Sequence, residues 1–361
     1  MNSLEDVWDK FNTVETAVLR YKLFNFISIF AAYLSQLTDE NNILVQKLQS
    51  VFLGAFSMPY IYLMLKKYIN KEKAYTYTLF FAVFSFVCIY SVVFNRDPHV
   101  YFLYTLGSYL IVYHKEKKYV LLKLFFIMIL LIGFRIEHAL FFITFLVTHI
   151  FIVTKKNRTF IIIGGTAVVL VFSVLFPLLI AKYDENTEAY QNQTERVERK
   201  EVSFGAAFAN LPPGIKQTLM MINGQIAPAV PFWRGWFIEG SNLVKVKHTQ
   251  EGYYTPWRFM ESIAAIVWIY IWGFLIYGFY RKLYKIVKVE LLILFGIAIL
   301  LLLLSSSSIN TRRIYCVFPV MFVVAMIFYE KIDSAIRKKI VNWITLFFIT
   351  IYSAYFAIKG F

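Results

Sequence analysis

The chain has 361 residues, 59% of them hydrophobic, 19% aromatic and only 16% charged, with a mean hydropathy of +0.60. A soluble domain carries roughly 25% charged and about 45–50% apolar residues, so this composition excludes a cytosolic enzyme, a disordered chain and a secreted disulfide scaffold. The formal net charge of +15 would suggest nucleic acid in a soluble protein, but its distribution along the chain assigns it elsewhere.

A bilayer core about 30 Å thick is crossed by about 20 apolar residues of helix. The weakest candidate comes first, at Leu23–Leu37. Leu44–Leu65, Ala74–Phe94, Val100–Tyr113, Tyr119–Phe134, Ala139–Thr154 and Phe160–Ala181 follow. After a long polar stretch come Met260–Tyr280, Val289–Leu304, Ile314–Tyr329 and Ile340–Ile358. These runs predict an all-α polytopic integral membrane protein with about 10–11 transmembrane helices. Short spans paired around polar turns suggest helices that break within the membrane or line a wet cavity. Cys88 and Cys316 both lie in apolar runs and read as small packed hydrophobes rather than a disulfide or metal ligands.

Lysines and arginines fix the orientation, because cytoplasmic loops collect them. Alternate loops are basic: Lys66, Lys67, Lys71 and Lys73; then Lys115, Lys117, Lys118 and Lys123; then Lys155, Lys156 and Arg158. The series continues with Arg281, Lys282, Lys285 and Lys288, and with Lys331, Arg337, Lys338 and Lys339. About half of the 37 basic residues therefore mark one side, and the charge is a topology signal with no nucleic acid implied. The opposite, extracytoplasmic side receives Thr38–Ile43, Asn95–His99, Arg135–His138, Lys182–Arg258 and Ser305–Arg313. Residues 1–22 lie inside if Leu23–Leu37 spans, and outside if that helix lies flat.

The division that follows is an N-terminal segment 1–43, a transmembrane bundle 44–181, one large extracytoplasmic loop 182–258 and a second bundle 259–361. The loop holds five of the nine prolines and three of the seven tryptophans. A structureless connection of this length is uncommon, so a small external subdomain is expected.

Polar groups at membrane depth are costly and therefore informative. In Asn95-Arg96-Asp97-Pro98-His99, proline biases Asp97 toward extended geometry. Asp97 reads either as the N-cap of the next helix, paired with Arg96, or as a general base or metal ligand beside His99. In Phe134-Arg135-Ile136-Glu137-His138, Arg135 and His138 share a helix face, and Arg135 demands an anion: Glu137, Asp97 or a lipid phosphate. A buried Arg–Glu pair tying two helices is the alternative. Asn310-Thr311-Arg312-Arg313 places two arginines on the side where basic residues are scarce, which suits a phosphate or pyrophosphate. The chain has no Walker loop, GxGxxG, CxxC or HExxH pattern.

This order of features resembles the Wzy-type exopolysaccharide polymerases and the GT-C superfamily of bacterial envelope glycosyltransferases, over residues 40–150 and 305–325. The resemblance rests on Arg96-Asp97 followed by an aromatic helix and basic loop, on the polar knot Arg135–His138, and on Arg312-Arg313 ahead of Pro319. It implies transfer of sugar from a polyprenyl phosphate or pyrophosphate carrier on the outer face of the bacterial cytoplasmic membrane. The catalytic residues would be Asp97, Glu137 and His138, and the lipid phosphate would lie on Arg96, Arg135, Arg312 and Arg313. No nucleotide sugar is implied, no metal ligands are assigned, and a divalent ion is the one cofactor the family admits. Other polysaccharide-assembly proteins are the implied partners. The chain departs from the family at its start, where a carboxylate-bearing first loop is expected; Asp97 then acts alone or with Asp6 or Asp9. A precursor transporter (flippase) and a non-catalytic assembly or immunity protein are the competing readings.

Overall fold

The computed structural model describes residues 22–37, 43–92, 96–153, 256–304 and 314–359, with isolated helical positions between 215 and 222. Among the described residues the fold is all-helical, without strands. The elements are α1 (Lys22–Leu37), α2 (Ile43–Lys66), α3 (Lys71–Phe84), α4 (Phe86–Ser91), α5 (Asp97–His114), α6 (Val120–Phe134) and α7 (Ile136–Val153). After residue 255 come α8 (Pro256–Tyr280), α9 (Val289–Leu304), α10 (Phe318–Lys331) and α11 (Ser334–Lys359), with short 3-10 turns at Leu283–Ile286 and Tyr315–Val317. Among the described residues, three helical stretches are long and apolar enough to cross a membrane: Lys47–Lys66, Ile136–Val153 and Met260–Tyr280. Leu23–Ser35, Val120–Phe134 and Val289–Leu303 are shorter apolar helices. The expected span Phe160–Ala181 and most of the large loop 182–258 lie outside the described residues.

Each boundary has a local cause. Asn70 caps α3, its side chain accepting from the Glu72 and Lys73 amides at 2.7 and 3.3 Å. The expected single span Ala74–Phe94 is instead two helices. Ser85 is extended (φ −106, ψ 166), and its hydroxyl accepts from the Val87 amide, so it ends α3 and caps α4. Serine offers the backbone this alternative to continued helix, and the surrounding aromatics fix it. Phe81 lies 4.4 Å from Phe322 between ring centroids, and Phe86 5.6 Å from Phe318. α8 begins at Pro256, ahead of the expected Met260, because proline suits the first helical turn.

The core forms around α10, whose residues Phe318 to Phe328 are all buried. A helix apolar on every side belongs in the middle. It packs on α8, α9 and α2, while α5 packs on α2, α6 and α7. On α5 the buried hydroxyls of Thr105 and Ser108 donate to the Tyr101 and Tyr104 carbonyls at 2.8 Å, so they add no unmet polar group.

The helix ends sort into two sets. At one end Lys115 pairs with Glu290 at 3.3 Å, Lys67 donates to the Val112 carbonyl, and Lys73 pairs with Glu330 at 2.6 Å, with Tyr77 also donating to Glu330. Away from these ends, Asp97 starts α5, Tyr315 precedes α10, Arg135 lies between α6 and α7, and Tyr90 and Glu261 lie on α4 and in the first turns of α8.

Close packing of α5 on α7 gives the first prediction. A Cβ at Gly107 would meet Cζ of Phe142 at 2.5 Å, and the Phe142 ring is itself stacked on Phe145 at 4.5 Å. Gly107→Ala is expected to cost about 1–3 kcal/mol through overpacking. Gly296→Ala, where nothing lies within 4 Å, is expected to gain up to about 1 kcal/mol from helix propensity. Thermal unfolding of the two purified variants checks the opposite signs.

Candidate functional site

Arg135 breaks the long apolar stretch into α6 and α7. Its backbone is extended (φ −155, ψ 109), its amide donates to the Leu131 carbonyl at 2.6 Å, and its own carbonyl accepts from the His138 and Ala139 amides at 3.1 Å each. One residue thus closes α6 and opens α7. The resulting corner aims the guanidinium across the bundle at the start of α5. There Nη2 meets Oδ1 of Asp97 at 2.5 Å, with Asp97 and Arg135 only 3% and 8% exposed.

Two expectations are corrected by this arrangement. Asp97 is not the N-cap of α5: Arg96 holds that position, without a side-chain cap bond, and Asp97 is the first helical residue rather than an extended one. A salt bridge to a guanidinium, ionised on both sides, outweighs a carboxylate bond to one neutral backbone N–H, and Pro98 sits within the first turn, where a missing N–H costs nothing. Of the anions open to Arg135, the structure brings it to Asp97, and this buried pair ties the start of α5 to the α6–α7 corner. Arg135 and His138 do not share a helical face, since Arg135 is the extended corner ahead of α7.

The remaining expected residues fall as follows. His138 is buried in the first turn of α7. Its carbonyl accepts from the Tyr104 hydroxyl at 2.9 Å, and its Nδ1 lies 3.9 Å from Sγ of Cys316. Glu137 is half-buried beside it. Arg96 is half-buried at the entrance to α5. His99 is buried between Phe24 and Phe134, at centroid distances of 5.8 and 4.6 Å. Arg312 and Arg313 lie outside the described residues, as do Asp6 and Asp9.

The structure adds residues that sequence reasoning passed over. Tyr315 stacks on Tyr101 at 5.0 Å, with the planes 7° apart, and lies 5.2 Å from the Tyr90 ring. Its phenol is close enough to interact electrostatically with both Asp97 and Arg135. Tyr90 in turn donates to Oε1 of Glu261 at 2.8 Å. A continuous polar and aromatic band therefore runs from Arg135 through Asp97, Tyr315 and Tyr90 to Glu261. Glu261 had a readable signal, being the one acid in the apolar run Met260–Tyr280. The tyrosines had none, since the chain holds 25 of them.

Among the described residues no three His, Cys, Asp or Glu side chains come together as a metal-holding set. Asp97 is already neutralised by a guanidinium, so these residues do not fit a divalent ion, and no step is derived through one. The arrangement can instead hold an anion on Arg135 and offer a carboxylate beside it. No protein family, curated protein or solved structure matches this chain.

Removing one partner from a buried pair strands the other charge. Arg135→Met is expected to cost about 3–5 kcal/mol, while Asp97→Asn with Arg135→Met restores most of the loss. Denaturant unfolding of the single and double variants measures this. A loss in the double variant equal to the sum of the losses in Arg135→Met and Asp97→Asn alone would show that the two groups are not coupled.

Proposed function

We propose that the chain is a multi-pass membrane protein of about 10–11 spans that transfers sugar from a polyprenyl phosphate or pyrophosphate carrier at the extracytoplasmic face of a bacterial cytoplasmic membrane. Its exposed apolar side chains support the membrane placement. Phe56, Leu122 and Trp343 are 59%, 64% and 71% exposed, and they belong to wider apolar faces on α2, α6 and α11. Such faces are unusual on soluble monomers. The gathering of lysines at one set of helix ends agrees with a cytoplasmic side there. The large loop 182–258 then lies outside.

The observation that carries the transferase reading is the buried Asp97–Arg135 pair at the helix ends remote from the lysines. An arginine there can bind the phosphate of a lipid carrier in bidentate fashion and stabilise the charge that develops on it as the sugar departs. Arrival of the phosphate exchanges Arg135 from Asp97 to the substrate. That exchange releases the carboxylate to take the proton of the acceptor hydroxyl. Donor binding and base activation are thereby one event. Glu137 and His138 border the same corner, and Arg96, Arg312 and Arg313 would extend the phosphate site.

The depth of the pair also favours a second reading, in which it is only a clamp between α5 and the α6–α7 corner of a non-catalytic protein. Reconstituted protein supplied with a polyprenyl-linked sugar separates the two. Asp97→Asn and Arg135→Lys are expected to lower transfer at least about a hundredfold while insertion into the membrane is kept. Absence of transfer by the unsubstituted protein with such donors would overturn the transferase reading, and donor translocation without transfer would favour a flippase.

A further inference from the structure

The lysine-bearing ends hold an arrangement that the proposed transfer does not use. α2 ends at Lys66 and α5 ends at His114; α6 starts at Val120 and α9 at Val289. Lys67 reaches across to the Val112 carbonyl and lies 5.8 Å above the Tyr113 ring. A cation on the last carbonyls of a helix offsets the negative end of its dipole. Lys67, Lys117 and Lys123 all approach His114 closely enough to act on it electrostatically. Lys118 lies 5.6 Å over Tyr119, and Lys66 5.9 Å over Tyr62.

Two carboxylates face this cluster. Glu290 is buried and already paired with Lys115, and Glu116 is exposed, so the lysines remain in excess. Burial first, and then Lys288 and Lys115 against the opposing Glu290 and Glu116, push the Lys67 ammonium below its ordinary value. Directly beyond the exposed Lys117, Lys118 and Lys123, α6 presents Leu122, Phe125, Phe126 and Ile129 to its surroundings, at 64%, 41%, 59% and 46% exposure. On α6, Leu122, Phe126 and Ile129 recur at four- and three-residue steps, so one helix face carries an apolar stripe, and Lys117 and Lys118 lie in the turn just ahead of that helix.

We propose that this corner is a docking site for an anionic phospholipid, with its headgroup phosphate on Lys117, Lys118 and Lys123 beside Lys67 and its acyl chains along Leu122, Phe126 and Ile129. A free phosphate would satisfy the lysines but leave the stripe uncovered. A zwitterionic lipid would cover the stripe but bring no net charge. Tyrosine rings beside the lysines suit the headgroup level, where amphipathic aromatics collect. The site rests on the membrane placement proposed above and not on the transferase chemistry.

The full chain in nanodiscs of phosphatidylcholine, titrated with phosphatidylglycerol and read by native mass spectrometry, tests the site. Selective retention of phosphatidylglycerol is expected. Each lysine near an anionic headgroup changes affinity by about fivefold, so Lys117→Gln, Lys118→Gln and Lys123→Gln together should weaken retention by about a hundredfold. Lys67 is left intact because it also holds α2 to α5. Equal retention of both lipids, an unchanged triple variant, or displacement of the lipid by millimolar inorganic phosphate would each overturn the proposal. Failure of the chain to enter nanodiscs would overturn the membrane placement as well, whereas entry without lipid selectivity overturns this site alone.

Discussion

The ion pair between Asp97 and Arg135 is the constraint on which the rest of this half of the bundle depends. A carboxylate and a guanidinium taken together out of water cost several kcal/mol each, and only tight geometry recovers it. That geometry needs α5 to start where α6 ends. The α6–α7 corner supplies it, because Arg135 leaves the helical conformation and turns its side chain back toward α5. The packing near the corner follows from the same requirement. Phe134, next in sequence, covers His99 at 4.6 Å, and the Tyr104 hydroxyl holds the first turn of α7 through the His138 carbonyl.

Such a pair is poor at stabilising a fold, since apolar residues of similar volume often do as well. Its position gives it a different value. The helices α5, α6, α8 and α10 each have one end bordered by lysines or arginines in sequence and another that carries or adjoins Asp97, Arg135, Glu261 or Tyr315. A bundle with ends this dissimilar has two faces with separate chemistry. One collects cations with exposed tyrosines around them. The other collects carboxylates and stacked tyrosines with the Arg135 guanidinium among them.

Much of this was legible in the sequence for a simple reason. Hydrophobic runs and the alternation of lysines are properties of long segments, so local exceptions do not erase them. Ten of the eleven expected spans coincide with described helices to within a few residues, Ala74–Phe94 as two pieces, while Phe160–Ala181 lies among residues not described. Asp97 and Arg135 were both singled out because charge inside an apolar chain is conspicuous. Their partnership was not readable, because several anions and cations competed for each and only the packing of α5 against the α6–α7 corner chooses. The helix break at Ser85 escaped for a related reason: a lone serine in an apolar run is common, and it acts as a cap only where aromatic neighbours such as Phe81 and Phe86 are held on both sides. Tyr90, Tyr101 and Tyr315 are further examples of residues whose role comes from being stacked together.

Burial of the pair also restricts what chemistry is open to it. A carboxylate already bonded to a guanidinium is a weak proton acceptor, so catalysis by Asp97 requires Arg135 to leave. Departure into an apolar interior would strand both charges, which makes spontaneous opening rare. A second anion that takes over the guanidinium as it leaves removes half of that penalty. An acceptor hydroxyl that bonds to the freed carboxylate removes part of the rest. On the transferase reading the pair is therefore a latch that only a phosphate-bearing donor opens, and water meeting the resting site finds Asp97 occupied. The same geometry that makes the pair look structural would then keep Asp97 from activating any hydroxyl until a donor is bound.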